Sequence, residues 1–321
     1  MRKKMKSLLC LLLFMVISLT ACGGASGTDE AVLKINGQEI MKSEYMVYLY
    51  TTTQSFVAMA GNDVWSMDFD GQTADELVEE RTISTIQSVI AAEKYAEENG
   101  IALTEEQKAE AKLAAEQFMA AASQEDLNKM RVNLEKLLPL MESSYLYSLV
   151  YHEIAAECGV DAEDMEAYYQ ANKDAIRSDY TTLKLQTILL DDGKKADEAM
   201  KRAKAGEEFA ALFTEYDISP EAEDGGEMIL TQAQLQAGFG LMESLEVGDI
   251  TGPVQVGENY FILKTVEKEV PAEEEIKEMA EGTYRSNVQT EYAEARMEEM
   301  VKGQSVEKID SVWETLEKFH G

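Results

Sequence analysis

The chain has 321 residues, 45% of them hydrophobic, and carries 29 Lys and Arg against 61 Asp and Glu for a net charge of −32. That length accommodates about two domains with real cores. The charge excludes nucleic acid as a partner, because no basic stripe exists to displace phosphate counterions. It also argues against a domain lying flat on anionic lipid.

Residues 1–21 read as a leader rather than as part of the fold. Arg2, Lys3, Lys4 and Lys6 precede an apolar run from Leu8 to Leu19. A run of about a dozen residues is short for a bilayer span and right for a signal-peptide core. The leader ends Leu19-Thr20-Ala21-Cys22, and Gly23, Gly24, Ala25, Ser26 and Gly27 follow. Small residues before a Cys at this place resemble the lipobox of bacterial lipoproteins. The resemblance implies cleavage before Cys22 and a diacylglyceryl group on its sulfur; two acyl chains anchor stably where one is marginal. The expected product is lipid-anchored on the extracytoplasmic face of the cell membrane, with 22–30 as a flexible tether. An ordinary cleaved signal with an incidental Cys is the other reading. Cys10 leaves with the leader and Cys22 is lipidated, so Cys158 has no partner for an internal disulfide. It is expected to be a buried, inert thiol.

Asn36-Gly37, between short apolar runs, predicts a tight turn. Ser43 is placed to cap a helix through the Tyr-rich 45–50 stretch. Residues 61–72 read as a loop. Thr73 with Glu76 and Thr104 with Gln107 form capping-box patterns, and Gly100 closes the helix between them. The second box opens a helix to about Ala122. Another helical stretch runs from Gln124 to Cys158, with Pro139 expected to kink or split it. Asp161 is placed to cap a short helix carrying Tyr168 and Tyr169. Residues 31–175 are thus expected to be almost wholly helical. Tyr45, Tyr48, Tyr145, Tyr147 and Tyr151 could line a groove or simply pack helices together.

The texture changes after Ser178. LKLQTILLDDG predicts a strand at 181–190 with Leu183, Leu185, Thr187 and Leu189 on one face. A helix at 194–205 ends at Gly206, and EEFAALFTEY is a second. Asp191-Asp192 at the strand end fits turn chemistry better than a metal site, since no His or further acidic cluster is placed to help. A Gly-rich turn follows at Asp224-Gly225-Gly226. VQVGENYFILKTVEKE then reads as a hairpin, completing a small α+β block. Pro271 opens a final helical region, broken near Gly303, in which Ile276, Met279, Tyr284, Val288, Met297 and Val301 are candidate packing residues. The Glu273-Glu274-Glu275 run suits a helix start. No cofactor is expected.

The pieces QTILL, AGEEFAALFTEY, DGGEM, LEVGDITGPVQV and NYFILKTVE occur in an order and spacing that resemble the parvulin (PpiC-type) family of peptidyl-prolyl isomerases. With the lipobox, the VLKINGQEIMKSEY segment and the helical flanks, the chain resembles extracytoplasmic foldase lipoproteins of the PrsA/SurA class. The resemblance implies a mostly helical, SurA-like N-terminal chaperone module at 31–175. An inserted parvulin-like α+β domain occupies 180–268, and a C-terminal helical segment at 271–321 returns to the helical module. It implies unfolded secreted polypeptides as clients and leaves a homodimer open. Matched position by position, the resemblance puts Thr187 and Phe261 where the family carries its His pair; the chain's two histidines, His152 and His320, lie outside the block, so that pair is absent. A third family position maps to Ser219. Leu235 and Phe239 keep the spacing of the family's proline pocket, so the implied site is Thr187, Ser219 and Phe261 beside a slot of Leu235 and Phe239. With the His pair missing, two readings stand: a foldase whose parvulin-like domain isomerises X–Pro bonds, and an inactive holdase in which that domain is a scaffold. A solute-binding lipoprotein would need two α/β lobes, and a single short mixed block is visible.

Overall fold

The computed structural model describes residues 29–219, 226–241 and 244–320. Cys22, the leader, most of the tether and the Asp224-Gly225 pair lie outside them. In chain order the elements begin with β1 (Ala31–Ile35), β2 (Gln38–Met41), α1 (Lys42–Ala60), a 3-10 turn (Asn62–Ser66), β3 (Asp68–Phe69) and β4 (Gln72–Thr73). Helices α2 (Ala74–Asn99), α3 (Glu105–Ala121), α4 (Gln124–Met130), α5 (Leu134–Ala156) and α6 (Ala162–Tyr180) follow. Then come β5 (Thr182–Leu190), α7 (Gly193–Lys204), α8 (Phe209–Tyr216), β6 (Glu227–Thr231), α9 (Gln232–Phe239), β7 (Ile250–Val256) and β8 (Asn259–Glu269). The chain closes with α10 (Glu273–Val301), β9 (Val306–Lys308) and α11 (Asp310–Trp313). Among the described residues, no helix is long and apolar enough to cross a membrane. The class is α+β and mostly helical.

Two compact units emerge. One takes the chain as far as Gln87, Ala109–Met141 and the stretch from Gly303; the other takes Ser88–Lys108 and Glu142–Lys302. In the first, Asn36 and Gly37 both adopt positive φ, 49° and 84°, the signature of a type I′ hairpin joining β1 to β2. Strand β9 adds to the other side of β1. Val32, Leu33, Ile35 and Ile40 are fully buried, so both faces of this small sheet are covered. The C-terminal stretch is fastened by Asn36 N donating to Ser305 O at 2.9 Å and Lys42 Nζ donating to Thr315 O at 2.8 Å. The Tyr45 and Trp313 rings lie 5.0 Å apart. Strand β9 was not visible in the sequence, because all three residues of VEK are exposed and show no apolar alternation.

Several caps follow the sequence. Thr73 and Glu76 exchange hydrogen bonds, as do Thr104 and Gln107, and Asp161 accepts from Glu163 N and Asp164 N. Others correct it. Helix α1 starts at Lys42, so Ser43 lies inside the first turn, and the Asp29 carboxylate accepts from both Ser43 N and its hydroxyl. The 124–158 stretch breaks at Arg131, which sits in the left-handed region, and Asn133 accepts from Lys136 N to start α5; Pro139 is carried inside that helix. Helix α6 runs 19 residues rather than being short.

In the second unit, α10 buries Ile276, Ala280, Ala293 and Met297. Ile276 and Ala280 meet Tyr169 of α6, while Ala293 and Met297 join Ala92, Ala96, Val150 and Ile154. The small residues Ala280 and Ala293 do work that the larger candidates Met279, Tyr284, Val288 and Val301 share only as half-buried neighbours. Glu273 accepts from Tyr169 and from Arg177, so that acidic run is tied down rather than merely solvated. Cys158 is half-buried, with its Sγ 3.6 Å from Gly159 O.

The same unit contains a four-stranded antiparallel sheet in the order β6-β5-β8-β7. Asp192 caps α7 by accepting from Lys194 N and Lys195 N at 2.8 and 3.1 Å. Ala196, Ala199, Met200 and Ala203 then form its buried stripe at helical spacing. That stripe and Phe209 and Leu212 of α8 cover Ile188, Leu190 and Ile262 on one sheet face. Leu183, Leu185 and Leu263 pack on the other face with Leu235 of α9 and Leu245. Strand β5 is therefore buried on both sides, which its continuous ILL run allowed and simple alternation did not predict.

Candidate functional site

The site residues are set by register. Thr187 stands opposite Leu263 and Leu189 opposite Phe261, so these four side chains share the sheet face that α9 covers. Helix α9 is pinned by its own capping box, Thr231 with Gln234, and stops at Gly240 in the left-handed conformation. Leu235 and Phe239, one turn apart, therefore project together. Phe239 meets Phe261 edge to face, with ring centroids 5.2 Å apart at 84°. Leu235 is fully buried beneath them among Leu183, Leu185, Leu245 and Leu263, whereas both Phe rings remain half-exposed. Leu235 thus supports the slot from below, and the two Phe rings present its surface.

Thr187 is buried, and its polar groups are engaged. Its N–H and its hydroxyl both donate to Gly226 O, at 2.9 and 2.8 Å. Gly226 has φ +72°, and a Cβ there would stand 2.3 Å from Thr187 O. A glycine is required, because any side chain would drive this turn off the strand. Ser219 is positioned through Asp217. The Asp217 carboxylate accepts from Leu189 N at 2.7 Å, from Ser219 N at 3.0 Å and from the Ser219 hydroxyl at 3.1 Å, and Ile218 N donates to Leu189 O. The turn after α8 is thereby tied to the strand residue that pairs with Phe261. On the other side, Gly252 at φ +128° lets β7 approach the Phe261 carbonyl, which a Cβ would meet at 2.5 Å.

The structure gathers Thr187, Leu235, Phe239 and Phe261 on one face and fastens Ser219 at its edge. Sequence reasoning missed Asp217 and Gly226 as the groups that hold this arrangement. The Asp217-Ile218-Ser219 spacing is a usable Asx-turn signal, since the Asp carboxylate accepts from the residue two places on. None of the five predicted side chains ionises near neutral pH. The arrangement offers apolar contact and water exclusion rather than proton transfer. Among the described residues, no group of three or more His, Cys, Asp or Glu could hold a metal.

Residues 160–281 match the family described as PPIC-type PPIASE domain, and residues 1–136 match the SurA-like N-terminal domain. The chain thus carries a PPIC-type domain and a SurA-like N-terminal domain, and it is similar to foldases and chaperones of the PrsA/SurA class. It is 23% identical to the foldase protein PrsA of Caldanaerobacter subterraneus, over 96% of this chain and 97% of that protein. It is 24% identical to the chaperone SurA of Polaromonas, over 77% of this chain and 55% of that longer protein. Among solved structures, the foldase protein PrsA of Streptococcus pneumoniae aligns at 16% identity with a TM-score of 0.39, covering 74% of this chain and 92% of the other. Residues 160–281, the span of the PPIC-type match, contain no histidine.

Proposed function

We propose that this foldase acts outside the cytoplasm, held at the membrane through an acylated Cys22, and that its PPIC-type domain accelerates X–Pro isomerisation in unfolded secreted polypeptides. We place that domain at 180–268, within a helical chaperone module made of 31–175 and 271–321. The observation that carries the reading is the half-exposed Phe239–Phe261 pair, standing over a closed leucine layer. Rotation about an X–Pro bond breaks no covalent bond but meets a barrier near ~20 kcal/mol from amide resonance. No acid, base or nucleophile is needed. An apolar slot that seats the ring and keeps water from the amide favours the twisted state, in which charge separation is reduced.

The scaffold reading draws on one specific observation, the Thr187 hydroxyl being committed to Gly226 O and so not offered to a client. One experiment separates the two. In proline-limited refolding, the parent chain is expected to accelerate the slow phase and Phe239→Ala to lose that acceleration. A parent that leaves the slow phase untouched ends the isomerase reading. A chain lacking 180–268 is expected to go on suppressing client aggregation. For the anchor, labelled palmitate is expected to enter the parent and not Cys22→Ser, and the variant should appear in the medium.

A further inference from the structure

The unit that contains β1 and β9 holds a cavity of about 250 Å3. Tyr45, Trp313 and Phe319 give it aromatic walls, and Asp75, Glu76, Glu79 and Glu317 give it carboxylates. Three of those carboxylates are already engaged: Glu76 accepts from Thr73 N, Glu79 accepts from Lys308 Nζ, and Asp75 accepts from Lys318 Nζ at 2.6 Å, with His320 Nε2 also 2.6 Å away. Two polar groups are not. Tyr45 is 1% exposed, yet its hydroxyl makes no hydrogen bond to any described residue. Glu317 is exposed and has no hydrogen-bonded or ion-paired partner among the described residues. A hydroxyl on a cavity wall with no partner among the described residues is free to bond a ligand.

We propose that this cavity binds a basic side chain, Arg or Lys, of an extended polypeptide with apolar neighbours. Aromatic faces take the aliphatic stem and attract the cationic head. The Tyr45 oxygen accepts an N–H from that head, and Glu317, which feels Lys42 and Lys129 but forms no direct ion pair with either, supplies a carboxylate. The chain's excess of carboxylates favours the approach of such segments. That the segment belongs to an unfolded client rests on the foldase reading; the preference for a basic side chain does not.

The full chain reports on itself, because both tryptophans, Trp65 and Trp313, lie in this unit: Trp313 lines the cavity, and Trp65 stacks on His320 with ring centroids 3.6 Å apart. Acetylated, amidated Leu-Arg-Leu, Leu-Gln-Leu and Leu-Glu-Leu are titrated while tryptophan emission is followed. The Arg peptide should bind about 5-fold to 30-fold more tightly than the Gln peptide, the range set by a desolvated cation over aromatic rings. Tyr45→Phe, which removes one oxygen and leaves the packing, should weaken the Arg peptide about 2-fold to 10-fold. Glu317→Gln, at an exposed position, should narrow the gap between the Arg and Gln peptides. Equal affinity for the three peptides, or an Arg affinity unchanged in both variants, overturns the proposal. Proline-limited refolding and aggregation assays on the same samples read the foldase hypothesis separately. Arg-selective binding with no effect in either assay would sink that hypothesis and leave the cavity assignment standing.

Discussion

In the sheet β2-β1-β9, residues Val306–Lys308 pair with Leu33–Ile35 from the far end of the described chain, whereas every strand of β6-β5-β8-β7 comes from residues 182–269. Loop-closure entropy grows only slowly with length, by about 0.6 kcal/mol for each doubling, so the long closure is affordable but must be fastened by specific contacts. Asn36 with Ser305, Lys42 with Thr315, Tyr45 with Trp313 and Glu79 with Lys308 are those contacts. The four-stranded sheet needs fewer such ties, because its two faces are covered by helices that lie between its own strands in sequence. One region is closed by named side-chain anchors; the other is closed by its local order.

The sharpest way to break this contrast is to open a core on one side and watch the other. Leu33 is fully buried in β1, and Leu33→Ala should cost about 2–5 kcal/mol in urea unfolding followed by tryptophan emission. Both reporters lie in that unit, so amide exchange in β5 and β8 should stay slow in the same variant. Equal loss of protection in β5 and β8 would show that the two regions share one cooperative transition. Next in size is Gly226→Ala. A Cβ 2.3 Å from Thr187 O, at φ +72°, makes the turn strained, and strain of this kind costs about 1–3 kcal/mol before the clash is counted. The urea midpoint should fall, the Thr187 amide should lose its protection, and acceleration of proline-limited refolding should fall with them.

The contrast also explains what could be read from the sequence. Local chemistry was legible: the Asn36-Gly37 turn, the Thr73 and Thr104 boxes, the Asp192 cap and the strand–helix order from 182 to 269 each depend on neighbours within a few residues. Ser43 failed as a cap because Asp29, arriving from before the hairpin, supplies the acceptor instead. Strand β9 failed because three exposed residues carry no pattern, and its pairing is decided by β1. At the candidate site, the resemblance named positions 187, 235, 239 and 261, and the sheet register and α9 bring these four to one face. Gly226 as acceptor, and Asp217 as the tie between Ser219 and Leu189, could not be read from the sequence, since both bonds join segments that only the sheet brings together.

A smaller effect tests the idea that Thr187 is structural while the Phe pair works. Thr187→Val removes the hydroxyl but keeps the N–H that also donates to Gly226 O, so the loss should be about 0.5–1.5 kcal/mol. Acceleration of refolding should survive. Its disappearance in a stably folded Thr187→Val chain would mean that the hydroxyl acts on the client and that the site resembles the His-bearing pattern more than its composition suggests.

The smallest effect concerns the anchors of the C-terminal stretch. Burial raises the Asp75 carboxyl, but hydrogen bonds from Lys318 and His320, with their charges, outweigh it and hold the group below its ordinary value of 3.8. A carboxyl lowered in the folded state stabilises fully above its unfolded value and loses that contribution as pH falls through the lower folded value. Acid should therefore loosen this contact only below the ordinary carboxylate range, and Trp65, stacked on His320, should report it through its emission. Asp29, lowered in the same sense despite its burial by Lys136 and Ser43, titrates in the same direction, so the parent profile contains both. Asp75→Asn isolates the pair: the difference between variant and parent should shrink as pH falls below the ordinary carboxylate range. A difference that stays constant down to about pH 2 would mean that the Asp75 charge contributes nothing, and that the tail is held by Trp313, Lys42 and the β1–β9 pairing alone.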